Sequence, residues 1–491
     1  MAVLTVLQDD KTYSLTFTPP LALLTALERL RLHFPHPCGG RGKCAKCAVT
    51  VSGAVSAPTA AETAAGSRLS CQITLLGDAA VALPGSAAME QIQLSGAVTG
   101  TAPMEGTCGA AIDIGTTTLA LSLYDLRCGK LLAQASMANP QTAVAADVIG
   151  RIQAAMGGAL EQLQNAILSA LRDLIAGACR DAGIEEAAVD TLILTGNTTM
   201  LYLLTGRDPE CLSHAPFLAD TLFGLETTIL GRRAYLPPCM NAFVGADITC
   251  AVLSSGMCDS DETALLCDIG TNGELALWKD GVLYVTSTAA GPAFEGAGIS
   301  CGCGSIRGAV DKAWVEDEDL CTHTIGNAPI AGVCGSGLID LVAAGLELEL
   351  IEDTGSMDAP LPIGNGTELL PRDIRAVQLA KAAIAAGMDT MLLHAGITAD
   401  QVTRLYIAGG FGSHLNISSA IAIGLIPEGF REKVSVIGNG ALMGASQMLL
   451  NRALPAKAAA IAENSVHVNL GGNPLFNEQY IEHLLFPEQL I

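Results

Sequence analysis

Apolar and polar positions near the start of the chain follow two different rhythms. Thr5, Val6 and Leu7, then Ser14, Leu15, Thr16 and Phe17, predict two short strands around a turn at Asp9, Asp10 and Lys11. Leu23, Leu24, Leu27 and Leu30 recur at helical spacing and predict an amphipathic helix over residues 21–32. Ala48, Val49, Thr50 and Val51 predict a further strand. Farther along, two apolar runs, residues 109–118 and 264–273, carry the same four residues, Asp-Ile-Gly-Thr. Each predicts a strand followed by two more. These are 119–124 and 131–136 in the first copy, and 274–278 and 282–286 in the second. Helical patterns cover 159–178 and 375–394. A strand over 404–408 runs into Gly409, Gly410, Phe411 and Gly412, and a strand over 434–437 precedes a small-residue helix over 438–450.

Composition narrows the class. Of 491 residues, 50% are hydrophobic and 15% charged, which excludes a disordered chain. The net charge of −23 argues against nucleic acid as the main partner, because phosphate backbones call for a basic surface. No run of about 18 apolar residues is free of charge, so no membrane span is expected. Asp9, Asp10 and Lys11 interrupt the place where a secretory signal needs its apolar core, and a cytoplasmic location is expected. Charge divides unevenly: residues 1–92 carry a net +1 and the remainder −24. The step supports a boundary near residue 92, and with the repeated runs four parts are expected: a domain over 1–92, a linker over 93–107, and two further units over 108–260 and 261–491. Fifteen residues of linker span only about 20 Å as a flexible coil.

Sixteen cysteines are present, and in a reducing compartment spaced cysteines are more often metal ligands than disulfides. Cys38, Cys44 and Cys47 lie on a Gly-rich loop with spacing C-x5-C-x2-C, and Cys71 follows 24 residues later. Three thiolates on a loop plus one distant thiolate suit a binuclear iron–sulfur cluster. Zinc ordinarily takes two paired C-x2-C units, and here there is one. Arg41, Lys43 and Lys46 sit in the same loop, either as solvated charges or as a docking surface for an acidic partner. Cys301 and Cys303 make a second short pair and read as buried small residues. Met89, Met104 and Met156 read as gap-filling core residues.

The repeated loops suit phosphate. In each, glycine lets a phosphate approach the backbone, and Thr116, Thr117 and Thr271 add hydroxyls beside exposed N–H groups. Asp113 and Asp268, at strand ends, suit a magnesium ion or its water shell. Two such hairpins facing each other would clamp a triphosphate. The strand into Gly409–412 suits the close approach of an adenine and ribose. Asp247, opening a helix just before the second repeat, either balances the helix dipole or, as its resemblance to the Gly-x-Asp base of sugar kinases implies, orients an attacking water. Glu295 and Glu274 are the alternative bases.

The order hairpin, helix, cysteine loop, strand resembles the plant-type ferredoxin domain, which implies an α+β, β-grasp fold holding a 2Fe-2S cluster on Cys38, Cys44, Cys47 and Cys71. Residues 108–450 resemble the acetate and sugar kinase/Hsp70/actin (ASKHA) superfamily. That implies an α/β unit of two ribonuclease-H-like subdomains around a cleft for ATP and Mg2+. Asp113, Gly115, Thr116 and Thr117 match its first phosphate loop, and Asp268, Gly270, Thr271, Asn272 and Gly273 its second. Gly409, Gly410, Phe411 and Gly412 match the adenosine motif.

The combination resembles the reductive activators of corrinoid enzymes. Asn139, Pro140 and Gln141 with Asp147 and Arg151, and the stretches 196–200 and 291–297, fit that family. The short spacing after residue 92 departs from longer members, which insert linker and middle segments. The resemblance implies one-electron reduction of a corrinoid methyltransferase protein from Co(II) to Co(I), driven by ATP and fed by an upstream low-potential electron donor. Each 100 mV of uphill transfer costs about 2.3 kcal/mol, which nucleotide-linked binding energy can supply. A redox-gated nucleotide-binding regulator and a small-molecule kinase with an accessory cluster are the alternatives. The oligomeric state stays open, a homodimer included.

Overall fold

The computed structural model describes residues 1–8, 11–30, 32, 42, 47–83, 103–409 and 414–488. The first unit is a twisted sheet. Ala2–Gln8 pairs antiparallel with Lys11–Phe17 and parallel with Thr74–Ala82, which in turn pairs antiparallel with Ala48–Val55. Leu4, Val6, Leu23, Leu27, Ile73 and Leu75 close its core. The expected helix over 21–32 is shorter, Leu23–Arg29, because Leu21 and Ala22 instead pair with Leu75 and Thr74 at the sheet margin.

Two further six-stranded sheets share one plan. In the first, Cys108–Ile114, Thr118–Asp125 and Lys130–Ala138 form an antiparallel meander, and Cys108–Ile114 also pairs parallel with Val189–Gly196. In the second, Ala264–Ile269, Gly273–Lys279 and Val282–Thr288 do the same, with Arg404–Ala408 as the parallel partner. Both central strands are almost wholly buried, which explains their unbroken apolar runs. Helices flank them. Leu160–Ala182 covers the first sheet, and Pro371–His394 lies in the core of the second lobe. The latter is long and apolar enough to cross a membrane, but 78% of its apolar stretch is buried inside the lobe.

The lobes meet where Ala246–Ser255 crosses Gly440–Leu450, above a cluster drawn from both sheets that includes Ala111, Ile193, Leu266 and Ala276. At the crossing, a Cβ on Gly444 would stand 2.1 Å from the Cys250 carbonyl oxygen. Gly444→Ala is therefore expected to destabilise the lobes by about 1–3 kcal/mol through overpacking. Thermal melting checks this, and an unchanged midpoint would show that the helices separate freely.

Two expectations are corrected. Met156 is 49% exposed, because it sits at an outward-facing turn between Val148–Ala154 and Leu160–Ala182. Cys301 and Cys303 are half-buried on a loop edge beside Val333 rather than in the core. Met89 lies outside the described residues. Met104 packs against the cluster between the lobes.

Candidate functional site

Pairing of Ala48 with Leu69, and the Ser70 N–H bond to the Cys47 carbonyl at 2.8 Å, bring two distant cysteines together. The Cys47 and Cys71 sulfurs stand 3.2 Å apart. Buried Glu62 fixes the approach to Cys71: its carboxylate accepts from the N–H groups of Thr59 at 2.7 Å and Leu69 at 3.0 Å, and from Arg68 Nε at 2.9 Å. Burial pushes the Cys47 thiol up to about 12, so it is held neutral until a cation stabilises its thiolate. A paired dithiol, one member buried and the other half-buried, fits half of a four-cysteine cluster site. Cys38 and Cys44 lie outside the described residues.

The two Asp-Ile-Gly-Thr loops stand at the carboxyl ends of matched strands. Asp113 is level with Thr195 on its parallel neighbour, and Asp268 with Ala408. Ligands of open α/β sheets bind at such ends. Gly115 N–H bonds to Thr118 O at 3.0 Å and Gly270 N–H to Asn272 O at 3.0 Å, closing both turns. The loops are tied together by one side chain: Glu295 Oε2 accepts from Thr117 Oγ1 at 2.9 Å and from Thr271 Oγ1 at 2.7 Å. Asn439 Nδ2 donates to Asp113 Oδ2 at 2.9 Å, joining the second lobe's helix to the first loop. Asn272 Nδ2 donates to Glu274 Oε1 at 3.3 Å, and Gly273 begins the next strand.

Gly409 brings the third motif alongside. Its φ is +98°, and a Cβ there would stand 2.8 Å from Asp268 Oδ1, so only glycine fits. Gly410, Phe411 and Gly412 lie outside the described residues.

Asp247 opens its helix with Oδ1 on the N–H of Ile248 at 2.9 Å. Neighbouring Gly245 abuts Asn197, whose Nδ2 donates to Thr116 Oγ1 at 3.1 Å. Burial raises the Asp247 carboxyl, and the charges of Asp113 and Asp268 raise it further. Burial also pushes Asp113 up to about 6 and, with help from Asp113 and Glu295, Asp268 up to about 7. Glu274 is held well above the usual range by burial and by Asp247 and Asp268. Burial raises Glu295 too, although its two threonine partners oppose this.

So many mutually repelling carboxylates around one cleft fit a divalent cation. Among the described residues, no three carboxylates, thiols or imidazoles lie close enough to chelate a bare ion. Such a set suits Mg2+, which keeps waters and shares its ligation with phosphate.

In the sequence, Arg151 is marked only by its fit to the family and is given no role there. It is fully buried behind the first loop, and burial lowers it only to about 10, so it stays charged at neutral pH. Its partners come from three stretches, at Thr116, over 141–145 and at Met200, so its role is not marked by any single local pattern.

A pH dependence follows. The unfolded carboxyls titrate near 4. Because the folded values of Asp113 and Asp268 are higher, their contribution to stability is complete below that and is lost as pH rises through about 6 and about 7. A bound divalent cation replaces those protons. Mg-nucleotide is therefore expected to raise the melting temperature more at pH 8 than at pH 5.5. Scanning fluorimetry at both values checks this; equal shifts would count against the cation site.

Fold and site define the class: a β-grasp domain presenting paired thiols, joined to a two-lobed ASKHA unit whose cleft is lined with carboxylates. Family models agree with both halves. The model for the 2Fe-2S iron-sulfur cluster binding domain matches residues 6–76. The RACo middle region matches 108–260, and the C-terminal domain of RACo, its ASKHA domain, matches 262–368 and 362–491. The middle region that the short spacing suggested was absent is thus represented by the first lobe.

The corrinoid activation enzyme RamQ of Eubacterium limosum is 34% identical over 423 residues, 78% of this chain and 71% of that protein. The Co(II) methylated amine-specific corrinoid protein reductase of Methanosarcina barkeri is 24% identical over 422 residues, 77% of each. The solved structure of a reductive activator for corrinoid, iron-sulfur protein superposes with a TM-score of 0.72 at 27% identity, covering 99% of this chain and 98% of that one. The chain belongs to the RACo family of reductive activators of corrinoid proteins.

Proposed function

We propose that the protein returns the cobalt of a corrinoid methyltransferase protein from Co(II) to Co(I), using one electron from its ferredoxin domain and Mg-ATP in its ASKHA cleft. The observation that carries this is the joining of the two Asp-Ile-Gly-Thr loops across the cleft by Glu295, in a chain that also pairs the buried Cys47 thiol with the half-buried Cys71 thiol. Cys38, Cys44, Cys47 and Cys71 hold the cluster, which supplies an electron near −400 mV as plant-type clusters do. Asp113 and Asp268 hold the magnesium water shell, and the loops at Gly115, Thr116, Thr117 and at Gly270, Thr271, Asn272, Gly273 hold the phosphates. Gly409 and the glycines after it admit the adenosine.

Asp247 orients the water that attacks the terminal phosphate, while Glu295 keeps the two loops in register. ATP acts by favouring the activator–partner state that accepts the electron; a preference of about 5.5 kcal/mol converts a 1:99 equilibrium into 99:1. An upstream low-potential donor refills the cluster, and the chemistry belongs to a cytoplasmic setting. To test this, the reduced protein is mixed anaerobically with a Co(II) corrinoid protein from the same cell. The expected result is a Co(II)-to-Co(I) absorbance change that requires Mg-ATP. A reduced cluster that keeps its electron under both conditions would leave the redox-gated regulator as the better reading.

A further inference from the structure

We propose that Arg151 is a positioning residue for the nucleotide's phosphates: a buried positive charge that holds the first phosphate loop from behind. The assignment rests on the reading of the cleft as a nucleotide site. The loop's carbonyls are each taken from inside the lobe. Gly115 O accepts from Asn139 Nδ2 at 2.8 Å, Thr116 O from Arg151 Nη2 at 2.5 Å, and Thr117 O from the Asn139 N–H at 2.8 Å. In a planar trans peptide the N–H points opposite to the C=O. The amides of Thr116 and Thr117 are therefore turned away from these buried donors, on the side where Thr117 meets Glu295.

The guanidinium itself bonds to neutral acceptors. Besides Thr116 O, these are Ala145 O at 3.0 Å, Gln141 Oε1 at 3.2 Å and the Met200 sulfur at 3.1 Å. Its side chain is fully buried, so it cannot itself touch a ligand. The carboxylates of Asp147 and Glu295 act on that charge from a distance and neither bonds to it, which leaves it attraction for a further anion. The peptide linking Thr116 and Thr117 carries its polarisation through to the ligand side, where phosphate supplies that anion. Arg151 belongs to a short helix, Val148–Ala154, capped by Asp147 and packed through Ile152 against Tyr202. Its place is thus set by the lobe and not by the loop.

The test is equilibrium binding of adenosine and of Mg-ATP to the full chain. Arg151→Met keeps the length and removes the charge. It is expected to weaken Mg-ATP about 100-fold and to leave adenosine within about twofold. Arg151→Lys keeps the charge without the planar fork and is expected to lose about tenfold on Mg-ATP alone. If the Met variant does not fold, the Lys variant is read by the same contrast. Parallel loss on adenosine and Mg-ATP would reduce Arg151 to a structural support, and unchanged Mg-ATP affinity would remove the assignment outright. A wild-type chain that binds neither ligand would overturn the nucleotide reading itself, and the assignment with it.

Discussion

Replacing Asp247 by Asn is expected to slow ATP hydrolysis by about 10²–10⁴-fold, the usual worth of a positioned general base, while Mg-ATP binds about as well as before. The substitution is close to isosteric, so Asn can keep the bond to the Ile248 N–H. What it removes is the proton-accepting oxygen. Asp247 is protonated more readily than an ordinary carboxylate because it is buried beside Asp113 and Asp268. A divalent cation near those two aspartates cancels their charge and returns Asp247 to the ionised form that a base requires. Removing one negative charge from a crowded cleft also does not penalise phosphate, which is why affinity should hold. Phosphate release under saturating ATP, with nucleotide affinity measured separately, checks this. Unchanged turnover would remove Asp247 as the base and leave Glu274 as the next candidate.

The second large effect concerns the thiols. Cys47→Ala should abolish the iron–sulfur absorbance and with it all electron transfer to the corrinoid partner, with Mg-ATP affinity unaltered. The Cys47 and Cys71 sulfurs are already 3.2 Å apart, so losing Cys47 removes the thiol that stands beside Cys71 among the described residues. Nucleotide binding is spared because the cleft is built from strands and helices beyond residue 107. Iron content, visible absorbance and nucleotide titration on the same preparation decide it. A variant that keeps two irons per chain and its full spectrum would falsify the ligand assignment.

Much of this was legible in the sequence because it is local. An apolar run ending in Asp-Ile-Gly-Thr predicts a strand and its turn, and both copies fold that way. The strand predicted over 404–408 is found as Arg404–Ala408, with its glycine against Asp268. Contacts between distant segments were not legible. Nothing near Glu295 signals that it will reach Thr117, 178 residues away. Asn439 was seen only as part of a helix start, and its bond to Asp113 spans 326 residues. Periodicity reports which face of an element is buried, not which element will face it. The start of the helix at Leu23 was missed for the same reason: the pairing of Leu21 and Ala22 with Thr74 and Leu75 is settled by tertiary contact.

The crossing of Ala246–Ser255 over Gly440–Leu450 has a mechanical consequence. With Gly444 pressed onto the Cys250 backbone, the two helices touch backbone to backbone at that point. The lobes are joined as the arms of tongs are joined, with that close contact as the fulcrum. One of those helices carries Asp247 in its first turn, and the other is capped by Asn439, which holds Asp113. Rotation that barely moves the fulcrum therefore shifts the two jaws together, and the far rims of the lobes travel farthest.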